Sequence, residues 1–292
     1  MNKLQQEIRE QLKRFREERI EPFMAQDDEN KTFRMEIFKD LGELGIVGMT
    51  APENFGGLNL SCFDFCLALQ EISKSSVSYA VTVSVSAMVQ SIIDQYGTDH
   101  QKQNFLPPLA SGNEIGAFAL SESGSGSDAA SLKTTAKITD KGYILNGSKL
   151  WISSGGIAKT YIVMARTGED GPKGISAFLI KDGTTGLTYG KSEDKMGWRV
   201  SPTKELVFKN CFIPKENLLG KEGEGFKIAL SALDRGRITI GAISTGLSER
   251  ALTEAINYSM EREQFKQKIF NFQGLQFMIA ELATELEASK LL

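Results

Sequence analysis

Histidine, cysteine and tryptophan are scarce in this chain of 292 residues, which has one, three and two of them respectively. His100 is the sole imidazole, and Cys62 and Cys66 stand only four positions apart, so no tetrahedral ligand set can be assembled and a zinc site is not expected. Three cysteines (Cys62, Cys66, Cys211) cannot make a disulfide framework, which points to a reducing, cytoplasmic location. No window approaches the ~18 uninterrupted apolar residues of a membrane span. The N-terminus, MNKLQQEIREQLKRF, is charged throughout and lacks the apolar core of a secretory signal. Neither sign of charge dominates: a formal charge of −3 argues against nucleic acid as a partner, which would need a concentrated basic surface. The basic run Lys13–Arg16 is mixed with glutamates and reads as a solvated helix face.

The length suffices for two or three domains, and the pattern changes twice along it. Residues 1–112 are helical in period, with Leu4, Ile8, Leu12 and Phe15, then Phe33, Ile37 and Leu41, on recurring faces and a break at PENFGG (Pro52–Gly57). VTVSVS (Val81–Ser86) alternates like a strand, yet its flanks from Tyr79 to Ile93 favour one buried helix. Residues 113–220 hold short β-branched and aromatic runs separated by turn signals, including Asn146-Gly147, which predict an antiparallel sheet or barrel. Residues 221–292 return to helix. Phe226–Glu263 is unusually long and contains Gly236, Gly241 and Gly246, each tolerable where a backbone or ligand approaches closely. A second helix from about Gly274 places Leu275, Met278, Leu282 and Leu286 on one face and reaches Leu292 without a cap, as if a helical bundle were incomplete. The expected class is α+β: an N-terminal helical domain, a central antiparallel β domain and part of a C-terminal bundle.

The densest chemical signal is Gly116–Gly156. SESGSGSD (Ser121–Asp128) gathers hydroxyls, glycines and free backbone N–H groups, and the run Trp151–Ser153 adds an aromatic ring beside further hydroxyls. Such a wall can hold a planar, phosphate-bearing cofactor. A serine-glycine run is by itself more often a flexible surface loop, but the WISSGG partner and flanking strands favour the cradle. No G-x-G-x-x-G opens a helix after a strand here, which excludes the dinucleotide-binding fingerprint.

Helices, then a β region with these two motifs, then a long helix, together resemble the acyl-CoA dehydrogenase family of flavoenzymes over nearly the whole chain. KMGWRVSPT (Lys195–Thr203), IPKENLLGKEGEGF (Ile213–Phe226), ALDRGRI (Ala232–Ile238) and REQF (Arg262–Phe265) extend the likeness. The resemblance implies FAD. Phe118, Leu120 and Ser121 would contact the isoalloxazine, with Gly126 and Ser127 at its phosphate or the thioester arm. Trp151 and Ile152 would lie near the ring and Ser153 near N5. Arg262, Phe265 and Gln273 would reach the FAD of a neighbouring subunit, although the family's usual Phe-Gly is Phe265-Lys266 here; without the resemblance, Arg262 reads as an exposed helix residue. Ser127, Asp234 and Arg237 would contact acyl-CoA, while Asp234 and Arg237 alone would read as a helix-surface ion pair.

The implied reaction is α,β-dehydrogenation of an acyl-CoA thioester, with electrons passed to an electron-transfer flavoprotein and a homo-oligomer built as a dimer of dimers. The family's base glutamate lies either beyond the position of Leu292 or at the position matching Gly236, so no catalytic base is expected within these residues and the chain is expected to be a shortened member. Gly236 and ALDRGRI point toward short-chain members. A catalytically silent flavin- or acyl-CoA-binding protein, a flavin oxidase and a cofactor-free structural protein are the alternatives.

Overall fold

The computed structural model describes residues 2–292. Six helices come first: α1 (Lys3–Phe15), α2 (Glu21–Asn30), α3 (Met35–Glu43), α4 (Cys62–Ser73), α5 (Val77–Tyr96) and α6 (Asp99–Ala110). Reciprocal capping boxes start α1 (Asn2 with Gln5), α4 (Ser61 with Asp64) and α6 (Thr98 with Gln101), satisfying backbone donors that helix ends leave open. A single π-helical segment, Arg16–Ile20, joins α1 to α2. It turns Arg16 inward onto Glu71 of α4 (2.9 Å) and Glu21 (2.5 Å), a buried charge matched by two carboxylates.

VTVSVS lies inside α5 and is helical. Ser76 caps the helix through the Tyr79 amide, and the residues from Val77 to Ser84 are all buried, so a two-faced strand has no role there. By length and composition α5 could cross a membrane, but 78% of its apolar window is covered by the rest of the fold.

The sheet comprises β1 (Gly116–Ala119), β2 (Thr135–Thr139), β3 (Gly142–Ser153), β4 (Thr160–Arg166), β5 (Ile175–Lys181), β6 (Leu187–Ser192), β7 (Thr203–Pro214) and β8 (Leu218–Leu219). Its order is β6-β7-β3-β2-β4-β5-β8, with β1 beside β4. Most neighbours are antiparallel, as expected; β1 pairs with β4 in parallel, and Thr135 makes one parallel bridge to Arg166.

Asn146-Gly147 is not a turn. β3 runs straight through it, the reversal is made at Asp140–Lys141, and the Asn146 carboxamide accepts the Asn210 amide (2.8 Å) across a bulge whose extra residue lies in β7. Gly147 is required for closeness: a Cβ there would sit 2.6 Å from Thr134 Oγ1.

β1 lies against α5. The Gly116 amide donates to Ser86 Oγ (3.2 Å), and a Cβ on Gly116 would fall 2.8 Å from Val89. The chain then returns to helix in α7 (Gly225–Glu261) and α8 (Gln273–Leu291). Gly246 lets α7 touch α4, since a Cβ there would be 2.2 Å from Gln70 O. Ile238, Leu247, Phe277, Met278 and Leu282 remain exposed on α7 and α8, while Leu286 is buried.

A two-strand hairpin, β9 (Glu263–Gln264) and β10 (Gln267–Lys268), links α7 to α8. Its two turn residues, Phe265 and Lys266, both adopt left-handed backbone (φ 51° and 61°). That is the geometry of a primed turn, which favours glycine. Lys266→Gly removes ~1–2 kcal/mol of left-handed strain against ~0.5–1 kcal/mol of added chain entropy. The expected result is a gain of about 0.5–1 kcal/mol in chemical denaturation; a loss would show that the lysine side chain stabilises the turn.

Candidate functional site

Two segments form the site: the loop that follows β1 and the end of β3. They are joined by Lys149, whose ammonium is fully buried and donates to Leu120 O (3.0 Å) and Glu122 Oε1 (2.7 Å). Glu122 also accepts the backbone amides of Lys133 (2.6 Å) and Thr134 (3.0 Å), and Leu150 N–H donates to Ser121 O (2.8 Å). Burial works to raise the Glu122 pKa, but the Lys149 charge and these hydrogen bonds outweigh it and hold the carboxyl below 4.5. Burial pushes the Lys149 ammonium down to about 8, with the Glu122 carboxylate pulling the other way. Glu122 is therefore structural. Lys149 was missed as a site residue, although it shares the inward parity of Tyr143 and Leu145 on the strand.

The joint leaves other groups facing outward. Ser125 turns its hydroxyl onto Asp128 O (2.8 Å), whereas the hydroxyls of Ser121, Ser127 and Ser153 bond to no other described residue. Gly124 and Gly126 have open space where a Cβ would stand. Between Lys149 and Ile152, β3 carries one more residue than β7, and at this bulge Trp151 adopts φ 57° with its ring 60% exposed. The Ile152 side chain is sent into the core, so only its backbone can meet a ligand. Leu120 is likewise buried, and Phe118 is half-buried against an apolar cluster that includes Val89, Ile162 and Ile228. Ser154, also left-handed, is wholly buried with an unsatisfied hydroxyl. Free hydroxyls, an offered indole and glycine-opened space suit a flat aromatic ring bearing phosphates.

A narrow slot lies between α4, α5 and α7, lined by residues including Thr50, Phe65, Ser84, Met88, Arg235, Gly236 and Thr239. Its free volume is about 10 Å³ with Met88 as it stands. Beyond Ser127, an open cavity of about 650 Å³ is lined by residues including Asp128, Ser131, Lys133, Arg166 and Gly171.

Asp234 and Arg237 form an exposed ion pair at 2.8 Å, the surface pairing their spacing permits. They sit one turn or less from the slot without lining it. Arg262, Phe265 and Gln273 gather at the α7–α8 hairpin, all exposed, with the Phe265 ring edge-on to Phe272. The structure thus brings the cradle residues together and places these three in a separate, outward-facing group.

A helical layer, an eight-stranded mixed sheet and a long-helix pair, with a hydroxyl-lined wall on the sheet, define an α+β scaffold. Three family models, the N-terminal, middle and C-terminal domains of acyl-CoA dehydrogenase, match residues 2–113, 117–211 and 223–292. The chain belongs to the acyl-CoA dehydrogenase family. It is 43% identical over 279 residues to a mitochondrial isobutyryl-CoA dehydrogenase of Dictyostelium discoideum, covering 95% of this chain and 67% of that one. Butyryl-CoA dehydrogenase from Megasphaera elsdenii superposes with a TM-score of 0.96 at 40% identity, covering 99% of this chain and 77% of that one. A chain in a structure described as the electron-transferring flavoprotein of Acidaminococcus fermentans gives a TM-score of 0.97 at 43% identity, covering 100% and 77%.

Lys149→Met strands Glu122 as a buried charge and is expected to destabilise by ~3–5 kcal/mol in urea unfolding. Adding Glu122→Gln should recover part of that loss, because the stranded charge is gone. Since the Glu122 pKa is depressed on folding, its contribution is complete above pH 4.5 and disappears as pH falls through the folded value. Glu122→Gln should therefore flatten the acid limb of the stability profile. An unchanged limb would show that other carboxylates set it.

Proposed function

We propose that this chain binds FAD against the Ser121–Trp151–Ser153 wall and an acyl-CoA thioester beside it, and supports α,β-dehydrogenation of the acyl group. The observation that carries this reading is the set of unengaged hydroxyls on Ser121, Ser127 and Ser153 around an exposed, left-handed Trp151. Bound FAD supplies a two-electron acceptor for the β hydrogen. Ser121 and Ser153 act as donors to the ring edge, where a fixed hydrogen bond stabilises developing negative charge. Trp151 covers the ring and excludes water from one side. Ser127, Asp234 and Arg237 hold the pantetheine arm, and the cavity past Ser127 is wide enough for its continuation.

The base that removes the α proton is not assigned to residues 2–292. Glu122 is committed to Lys149, Lys133 and Thr134, and Asp234 faces solvent with Arg237. Short acyl groups suit the narrow slot and the relatives named above. The electron acceptor is an electron-transfer flavoprotein, and the assembly is a dimer of dimers. In it the exposed apolar faces of α7 and α8 are covered, and Arg262, Phe265 and Gln273 meet the flavin of a neighbouring copy. Three free thiols fit a reducing cytoplasm.

The test is reconstitution with FAD followed by titration with butyryl-CoA under anaerobic conditions. The expected outcome is retained flavin absorbance that shifts on adding thioester. Ser121→Ala with Ser153→Ala should weaken FAD by about tenfold, from two lost hydrogen bonds of about 0.5–1.5 kcal/mol each. A folded protein that takes up no FAD would refute the reading, and peroxide formation in air would assign it to an oxidase instead.

A further inference from the structure

Arg235 is a half-buried cation with no carboxylate partner among the described residues. Its guanidinium donates only to Ser91 Oγ on α5. Two arginines drawn inward are neutralised, Arg16 by Glu21 and Glu71, and Arg34 by a two-pronged contact with Asp27. The adjacent acid, Asp234, points away and is paired with Arg237. Meanwhile Arg235 lines the slot beside Gly236, where the absent side chain leaves Met88 as the nearest group, 3.9 Å from where a Cβ would be.

Two of the slot's other polar side chains, Ser84 and Thr239, are already engaged. Ser84 donates to Thr239 (2.8 Å), and Thr239 donates to Gly236 O (3.0 Å). The guanidinium is the charged group of the slot, and one of its five donors is engaged. A hydrocarbon chain laid in the slot would strip water from this charge and return nothing. A carboxylate would meet a planar fork of matching geometry. Met88, unbranched and flexible, is the wall that can withdraw to admit it.

We propose that the acyl group received by this slot carries a carboxylate that pairs with Arg235, so that the preferred ligands are CoA thioesters of short dicarboxylic acids. This rests on the acyl-CoA reading above and adds the substrate class. The test is calorimetric binding of CoA, butyryl-CoA and succinyl-CoA to the FAD-loaded chain, in the parent and in Arg235→Met and Arg235→Lys. The two thioesters have the same carbon count and differ by the terminal carboxylate.

Succinyl-CoA should bind about tenfold or more tightly than butyryl-CoA in the parent, as expected when a site built for a polar group meets a ligand lacking it. Arg235→Met should abolish that preference while leaving CoA and butyryl-CoA within about twofold of the parent, and Arg235→Lys should retain part of it. Equal binding of the two thioesters by the parent overturns the proposal. So does a uniform loss for all three ligands in Arg235→Met, which would assign the guanidinium to the CoA phosphates. If CoA and butyryl-CoA also fail to bind the parent, the acyl-CoA reading itself falls, and this inference falls with it.

Discussion

The buried contact between Glu122 and Lys149 governs the rest of the site. A loop of sequence SESGSGSD has little reason to be rigid: its glycines widen the accessible backbone and its serines compete for local hydrogen bonds. Glu122 resolves both problems. It satisfies the amides of Lys133 and Thr134, which would otherwise recruit serine hydroxyls, and it binds an ammonium rooted in the neighbouring strand. The serines are thereby left free to face a ligand. Such a pair is weak evidence for stability, since desolvation offsets most of its Coulombic gain. Its value is geometric, because Leu120, Ser121 and Leu150 are bound into one unit by it.

Much of the architecture was legible because patterning and local chemistry agreed. The long helix ending near residue 262, the second helix beginning near 274 and the buried α5 all follow from apolar periodicity bounded by caps or glycines. Asn146-Gly147 shows where that logic stops. The dipeptide is a strong turn signal in isolation, yet long-range pairing with β7 keeps it extended, and the glycine serves the close approach of Thr134. The parallel placement of β1 was also hidden, since it depends on α5 docking rather than on any feature of Gly116–Ala119.

The cradle's residues were legible as types and less so as orientations. Ser121, Ser153 and Trp151 stand out by composition and resemblance, whereas the outward aim of Trp151 comes from an extra residue in β3 that no local pattern announces. The same bulge reverses parity, so Lys149 and Ile152 both point inward although they are three residues apart. That reversal lets one strand deliver a buried cation to the loop and, within four residues, a ring and a hydroxyl to the ligand side.

The long helix α7 shows how glycine can serve different ends in one element. Gly246 is demanded by contact, since α4 backbone leaves no room for a side chain. Gly236 has no such neighbour, and its missing side chain opens the slot instead. Gly241 faces open space, and nothing in the structure explains it. Each glycine weakens the helix by about 1 kcal/mol relative to alanine, so α7 is held helical by packing against α4 and α5 more than by its own propensity. Thr239 on Ser84 fixes one wall of the slot, while Gly246 on Gln70 sets the approach of α7 to α4 further along the helix. At Arg235–Gly236 the helix presents a charge held by Ser91 and a position free of any side chain. The slot therefore offers an occupant one cation beside one position without a side chain, against walls that are otherwise packed.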